Sequence, residues 1–153
     1  MNQRSTTDLR IALISGGDSN EASVSRTSAA AVFAALAGHY SQVQNFELDG
    51  SLINQLSEFQ PDVVFPVLHG PPGEDGTIQG LLEIMQLAYI GSGVQASALA
   101  MDKIAAKGLF REANLPLVDH VTANSSNGIN RTVDEVIASL GHNVVVKPAR
   151  QGS

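Results

Sequence analysis

The sequence predicts an α/β fold in which a mostly parallel sheet is flanked by helices. Strand patterns and helix patterns alternate along the 153 residues, which is typical of such a fold. The clearest strand pattern, at residues 62–68, leads into a glycine-rich loop and then into a helix pattern. The apolar positions of that helix, Ile78, Leu81, Leu82 and Met85, fall at i, i+3, i+4 and i+7. Ligands bind outside the carboxyl ends of parallel strands, so the loop is a candidate site.

Before residue 93 the sequence predicts four strands and three helices. The strand patterns are short apolar runs, whereas an alanine-rich stretch that stops at Gly38 has the length of a helix. The predicted elements are, in order, a strand at 9–15, a helix at 24–37, a strand at 43–48, a helix at 51–59, a strand at 62–68, a helix after Asp75 and a short strand at 87–90. The composition changes at the Gly-Ser-Gly of residues 91–93. We therefore predict a first domain of residues 1–93 and a second portion of residues 94–153.

The second portion begins with a long predicted helix, which Ser97 caps and which runs to about residue 113. Lys103, Lys107 and Arg111 stand at i, i+4 and i+8 on this helix. Residues at this spacing lie on one helix face, so the three side chains would form a basic stripe.

The remaining elements of the second portion are a strand at 118–122, a polar turn at 124–130, a helix and a final strand at 144–146. The helix is opened by a capping box at 132–135 and ends at Gly141. These elements are too few to bury a core of their own. We therefore expect residues 94–153 to be the beginning of a larger domain, and the 153-residue chain to be a truncated form.

The composition argues against several classes of function. The net charge is -6 and no cluster of Lys and Arg offsets it, which argues against a nucleic-acid-binding face. The chain has no cysteine, so thiol catalysis and zinc–thiolate sites are excluded. No apolar run approaches the roughly 18 residues of a membrane span, and the polar N-terminus lacks a signal-peptide pattern. We expect a cytoplasmic protein that binds neither membranes nor nucleic acid.

Gly16 and Gly17 end the first predicted strand and precede a helix, a geometry suited to close approach by a ligand. The sequence lacks the dinucleotide-binding pattern, because Asp18 stands where that pattern needs a glycine. Asp18 and Glu21 have the spacing of a helix N-cap and its N3 partner. On spacing alone, capping is the favoured role of Glu21.

The loop after the strand at 62–68 carries His69, Glu74 and Asp75. A lone histidine at the end of a strand more often fixes a loop by hydrogen bonding than takes part in catalysis. Glu74 and Asp75 precede a helix, where anions are favoured by the helix dipole. We interpret these two carboxylates as loop anchors and helix-start anions.

Two lysines are candidates for phosphate contacts. On spacing alone, Lys103 is a solvated residue of the basic stripe. Lys147 follows three valines, and a lysine at the end of a buried strand needs a counter-charge. The pattern at Lys147 therefore hints at an anion.

Four segments together resemble one family, the D-alanine–D-alanine ligases of the ATP-grasp group. They are the glycine-containing segments 16–25, 68–80, 91–103 and 146–153, in the same order as in the family. The resemblance covers the whole length of the chain. It implies a Rossmann-like pre-ATP-grasp domain followed by the start of an ATP-grasp domain. Because an ATP-grasp site closes on the nucleotide between two lobes, the resemblance also implies that this chain is inactive alone.

The resemblance also implies an activity. The family uses ATP to join two D-alanines through an acyl phosphate, for peptidoglycan and hence for cell-wall biogenesis and cell shape. It implies Mg²⁺, whose ligands we expect beyond residue 153, and a homodimer. Alternatives are a D-alanine–D-lactate or D-alanine–D-serine ligase, or a non-catalytic fragment that retains the fold.

The matched motifs assign roles to individual residues. In the family, the residue matching Glu21 holds the ammonium of the first D-alanine. Val24 and Ser25 match the end of the same motif and would line the same substrate pocket. His69 resembles the histidine near the first substrate and the transferred phosphate. Lys103 and Lys147 match lysines that contact ATP phosphates in the family. Ser153 matches a catalytic serine that hydrogen-bonds the substrate-side glutamate. The chain departs from the family at Ala22 and Ser23, where Arg and Glu are usual, which puts the surrounding charge network in doubt.

Overall fold

The computed structural model describes residues 6–124, 126 and 128–151. They form two compact units, one that runs to Met101 and one that comprises Asp102–Gln151. The helix that follows the predicted boundary at residue 93 is grouped with the first unit, and the boundary itself stays a prediction. None of the helices in the described residues is long and apolar enough to cross a membrane.

The first unit contains a three-stranded parallel sheet with the strand order β2-β1-β3, which confirms the predicted fold class. Its elements are a short 3-10 helix Thr6–Asp8, β1 Arg10–Ser15, α1 Ala22–Ala37, β2 Gln42–Glu47, α2 Leu52–Phe59, β3 Val63–Pro66, α3 Thr77–Ile84 and α4 Val94–Met101. The strand predicted at 87–90 is reduced to a single parallel bridge between Tyr89 and Val64.

The alternation of side chains along β1 builds a core on both faces of the sheet. Ala12 and Ile14 pack into a cluster with Leu52 and Leu56 of α2 and with Leu82 of α3. The alternate residues of β1, Ile11 and Leu13, pack on the other face with Ala29 of α1. Each face of the sheet is thus covered by helices.

The strand register brings the carboxyl ends of all three strands to one edge of the first unit. Ser15 pairs with Glu47, and Ile14 pairs with Pro66. The segments that follow β1, β2 and β3 therefore start side by side. This is the edge at which the sequence predicts a site.

The described residues of the second unit form two helices, α5 Lys103–Glu112 and α6 Ile129–Leu140, and no strand. The strands predicted at 118–122 and 144–146 are therefore wrong. Val118, Val145 and Val146 are more than 80% exposed, at 83%, 82% and 88%. A strand needs a neighbouring strand to bind its backbone, and these short segments have none among the described residues.

Two predicted helix starts are also wrong. The long helix capped by Ser97 is two helices, because Asp102 interrupts it in an extended conformation and caps α5 by accepting from Ile104 N–H and Ala105 N–H. Ser97 instead lies inside α4. The helix α6 begins at Ile129, ahead of the predicted capping box, and ends at Gly141 as predicted.

Candidate functional site

Gly16 and Gly17 form the turn between β1 and α1. Their φ angles are 81° and 83°, a left-handed conformation that strains any residue with a side chain. A Cβ atom on Gly16 would also overlap the carboxylate of Glu47. A side chain of the chain itself thus approaches this turn closely, and the approach of a ligand that the sequence indicated stays a prediction.

Ser25, near the start of α1, holds this turn by hydrogen bonds of its side chain. Its hydroxyl accepts Gly16 N–H at 2.9 Å and donates to the carbonyl of Val67 at 2.5 Å. Through these two hydrogen bonds, the completely buried hydroxyl of Ser25 joins the segments after β1 and β3. Val24 beside it is 53% exposed. Their role in lining a substrate pocket stays a prediction.

Glu47, the last residue of β2, binds the same turn from the other side. Its Oε1 accepts Gly17 N–H at 3.0 Å and pairs with Arg26 of α1 at 2.5 Å. The hydrogen bond from Arg26 holds the pKa of the Glu47 carboxyl below its ordinary value and raises the pKa of Arg26. Both side chains remain partly exposed, at 51% for Arg26 and 41% for Glu47.

Glu21 occupies the N-cap position of α1 and makes no side-chain capping hydrogen bond. The predicted pairing of Asp18 as N-cap with Glu21 as N3 is therefore wrong, because the helix begins only at Ala22. The Glu21 carboxylate instead lies over Gly70: its Oε2 is 3.1 Å from the position that a Cβ of Gly70 would take. The absence of a side chain on Gly70 makes room for this carboxylate.

Ser19 ties the segment that carries Glu21 to the loop after β3. Its hydroxyl donates to the carbonyl of His69 at 2.9 Å and accepts Glu21 N–H at 3.3 Å. The structure thus brings together Glu21 and the His69–Gly70 backbone, which are 48 residues or more apart in sequence. The sequence predicted both as parts of one substrate site.

The loop after β3 is held by its own side chains. Glu74 accepts Gly70 N–H at 2.7 Å, and Asp75 accepts Thr77 N–H at 3.0 Å at the start of α3. These contacts confirm the predicted roles of the two carboxylates as loop anchor and helix-start anion. Gln79, which is buried, adds a hydrogen bond to the carbonyl of Gly73 at 2.9 Å.

The imidazole of His69 is half-buried, and its Nε2 is fully buried without a hydrogen-bond partner in the described residues. It is the carbonyl of His69 that fixes the loop. A buried polar atom without a partner is unfavourable by about 1–3 kcal/mol.

In the second unit, Lys103 contacts the segment that follows Lys147. Its backbone N–H donates to the carbonyl of Ala149 at 2.9 Å, and its Nζ donates to the carbonyl of Gln151. Beside it, Arg150 donates to Asp102 at 2.8 Å. Two hydrogen bonds lower the pKa of Asp102. The larger effect comes from the N–H of Ala105 and the next from the side chain of Arg150.

The remaining site predictions in this unit have a different outcome. Lys147 is exposed and follows no strand, so the argument from a buried strand end was wrong. The predicted catalytic Ser153 lies outside the described residues. Within the described residues, no group of three or more His, Cys, Asp or Glu side chains could hold a metal ion.

Sequence reasoning missed Arg26 and Glu47. Glu47 is polar and ends a strand pattern, and in a parallel sheet that position meets the ends of its neighbours, so this signal was present in the sequence. Arg26 gives no such signal, because an arginine on an exposed helix position is ordinary.

Comparison with known proteins agrees with the resemblance. A family model described as D-ala D-ala ligase N-terminus matches residues 40–92. The D-alanine--D-alanine ligase of Moorella thermoacetica is 42% identical over 148 residues, which are 95% of this chain and 48% of that protein. The corresponding ligase of Cereibacter sphaeroides is 45% identical over 146 residues, which are 94% of this chain and 45% of that protein. The chain thus spans about half the length of these relatives.

Solved structures give the same picture. The D-alanine--D-alanine ligase of Bacillus anthracis matches with a TM-score of 0.80 at 32% identity, over 95% of this chain and 47% of that one. Its complex with ATP matches with a TM-score of 0.71 at 29% identity, over 94% of this chain and 48% of that one. The VanG D-Ala:D-Ser ligase of Enterococcus faecalis matches with a TM-score of 0.72 at 28% identity, over 95% and 53%. The chain therefore belongs to the D-alanine–D-alanine ligase family, with whose N-terminal portion it aligns.

Proposed function

We propose that this chain provides the first-substrate side of an ATP-dependent ligase that joins two D-alanines for peptidoglycan synthesis. The observation that carries the proposal is the position of the Glu21 carboxylate over Gly70, the residue that follows His69 in the loop after β3. A carboxylate is the natural partner of an ammonium group, and an imidazole nitrogen can hydrogen-bond a carboxylate or phosphate oxygen. One amino acid could therefore be held by its two ends at this edge of the sheet.

The chemistry explains why ATP is needed. A free carboxylate is a poor electrophile, so one of its oxygens first takes the γ-phosphoryl group of ATP and ADP leaves. The amine of the second D-alanine then attacks the carbonyl carbon of the acyl phosphate. The carbon–oxygen bond to phosphate breaks, inorganic phosphate leaves, and the nitrogen loses a proton. Phosphoryl transfer of this kind depends mainly on positioning and on neutralising charge.

Each candidate residue has a role in this scheme. Glu21 binds the ammonium of the first D-alanine, and His69 Nε2 hydrogen-bonds the group that forms at its carboxylate. Lys103 and Lys147 neutralise phosphate charge on ATP. The contact of Lys103 with the backbone at Ala149 and Gln151 supports a common nucleotide site for the two lysines.

Mg²⁺ would neutralise further phosphate charge when bound. The described residues contain no cluster of carboxylates or histidines that fits it. We further propose a cytoplasmic homodimer. The match to a D-Ala:D-Ser ligase keeps D-serine open as the second substrate.

Replacing Glu21 by Gln tests the proposal. In a full-length ligase that carries this chain, Glu21→Gln should lower kcat/KM for D-alanine by roughly tenfold to a hundredfold, because a hydrogen bond to a charged group is worth about 1.5–3 kcal/mol. Phosphate release with ATP, Mg²⁺ and D-alanine measures the rate. Asp18→Asn is the matched control, since Asp18 is exposed in the same segment. Normal D-alanine kinetics in Glu21→Gln would overturn the proposed role.

A further inference from the structure

The backbone N–H and the backbone carbonyl of Gly17 are both bound by side chains, which come from two different elements. Its N–H donates to Glu47 Oε1 at 3.0 Å, and the carbonyl of Gly17 accepts from Arg26 at 3.5 Å. Arg26 also donates to both oxygens of Glu47, at 3.2 Å from Nε and 2.5 Å from the terminal nitrogen. The end of β2, the side of α1 and the turn between β1 and α1 are therefore closed into one set of hydrogen bonds.

This arrangement differs from an ordinary ion pair on a protein surface. The Glu47 carboxylate fills the space in which Gly16 would carry a Cβ, so the pair is fitted to the backbone of the turn. Exposed ion pairs usually contribute little to stability. We therefore expect this pair to fix the geometry of the Gly16–Gly17 turn and to contribute little to the stability of the fold.

The turn leads directly to the residue proposed to bind substrate. Three residues separate Gly17 from Glu21, and one of them, Ser19, is bound to the His69 carbonyl. On the far side of Glu21, Arg26 lies on α1 itself. The segment that carries Glu21 therefore begins at Gly17, which Glu47 and Arg26 both bind, and it leads into α1, on which Arg26 itself lies.

We propose that Arg26 and Glu47 are positioning residues for recognition of the first amino acid: they hold the Gly16–Gly17 turn so that the Glu21 carboxylate stays over Gly70. The inference rests on the proposed function. Neither side chain touches the substrate. Loss of the pair should raise KM for D-alanine about tenfold and leave KM for ATP unchanged, because small displacements of a binding group reduce activity strongly.

Three variants of a full-length ligase carrying this chain separate positioning from a surface ion pair. Glu47→Ala removes both the acceptor for Gly17 N–H and the partner of Arg26, so it should show the full rise in KM. Glu47→Gln keeps an oxygen for Gly17 N–H and should show a smaller rise. The charge swap Arg26→Glu with Glu47→Arg restores an ion pair but leaves Gly17 N–H without its acceptor, and it should not restore KM.

Glu83→Gln is the matched control, because Glu83 is an exposed carboxylate on α3 that accepts from the Tyr89 hydroxyl at 3.0 Å. It should leave both KM values unchanged. Recovery of normal KM in the charge swap would overturn the proposal, as would a normal KM for D-alanine in Glu47→Ala.

Hydrogen exchange at the Gly17 amide gives a readout that does not need activity. Exchange should be faster in Glu47→Ala than in the parent protein and nearly normal in Glu47→Gln. If the parent protein releases no phosphate with D-alanine, the proposed function fails while the exchange measurement still tests the pair. Unchanged exchange at Gly17 in Glu47→Ala would overturn the positioning role by itself.

Discussion

The two units of this chain differ in how their apolar residues are used. In the first unit, Leu13, Leu56 and Leu82 are completely buried around the sheet. In the described part of the second unit Ala106 is the one buried apolar residue, while Val145 and Val146 are more than 80% exposed, at 82% and 88%. The sequence patterns of the two regions are similarly apolar. What differs is the presence of a sheet.

The reason lies in how helices and strands satisfy their backbones. A helix binds its own N–H and C=O groups, so the backbones of α5 and α6 need no neighbouring strand. A strand needs another strand beside it, and β1 has β2 and β3 on its two sides. An apolar run is thus a strand only where the fold supplies a partner.

The most direct way to break this comparison is to truncate one apolar side chain in each unit. Leu56→Ala should lower the free energy of unfolding by about 2–5 kcal/mol, because it leaves a cavity in a packed core. Val145→Ala should change it by less than about 0.5 kcal/mol, since the side chain is exposed. Chemical denaturation of both variants measures the difference. A cost for Val145→Ala similar to that of Leu56→Ala would mean that the second unit has a core that these contacts do not reveal.

The lysines of the second unit sharpen the comparison, because they test whether a unit without a sheet supplies nucleotide contacts. Lys103→Ala and Lys147→Ala should each weaken ATP binding by about 1.5–3 kcal/mol, the scale of a hydrogen bond to a charged group. Calorimetry with ATP on a full-length ligase carrying this chain is the measurement. Lys107→Ala, on the same helix as Lys103, serves as the control. Unchanged ATP affinity in both variants would remove the two lysines from the proposed site.

In the first unit, the matching test concerns a buried hydrogen bond. Ser25→Ala leaves Gly16 N–H and the Val67 carbonyl without their common partner, and an unsatisfied buried group costs about 1–3 kcal/mol. Thermal unfolding should show this loss. Thr27→Ala, an exposed hydroxyl bound to the Ser23 carbonyl within α1, should leave stability nearly unchanged. Equal stability of the two variants would show that Ser25 does not join the two segments.

From β1 to β3, the strands and helices of the first unit could be predicted from sequence to within two residues. The strand predicted at 9–15 is Arg10–Ser15, and the helix predicted at 51–59 is Leu52–Phe59. Both patterns are local, and the sheet supplied the partners that the strands needed. The error at Asp102 has a local cause as well: one side chain caps the next helix, and periodicity does not detect a single interrupted turn.

The site was predictable where residues follow one another in a motif, and less so where they meet only in the fold. Glu21 and His69 were named from their motifs, and the structure places the Glu21 carboxylate beside the His69–Gly70 backbone. Arg26 and Glu47 lie 21 residues apart and meet only because α1 packs beside the end of β2. No pattern in a single sequence carries that contact.

The smallest expected effect compares the two ion pairs, one in each unit. The pKa values of Glu47 and Asp102 are both lowered from their ordinary values of 4.5 and 3.8, so each carboxylate keeps its charge to a lower pH than it would in an unfolded chain. The leading cause differs: the Arg26 hydrogen bond for Glu47, and the backbone N–H of Ala105 for Asp102. Asp49, near Glu47, opposes the shift and is unchanged in both tests.

Removing the arginines should therefore act unequally. Arg26→Met should raise the pKa of Glu47 toward its ordinary value, whereas Arg150→Met should raise that of Asp102 less, because the helix cap remains. Titration of the side-chain carboxyl carbons by NMR, from neutral pH downward, measures both shifts. A larger shift at Asp102 than at Glu47 would contradict this order and would mean that Arg150, not the start of α5, holds that charge.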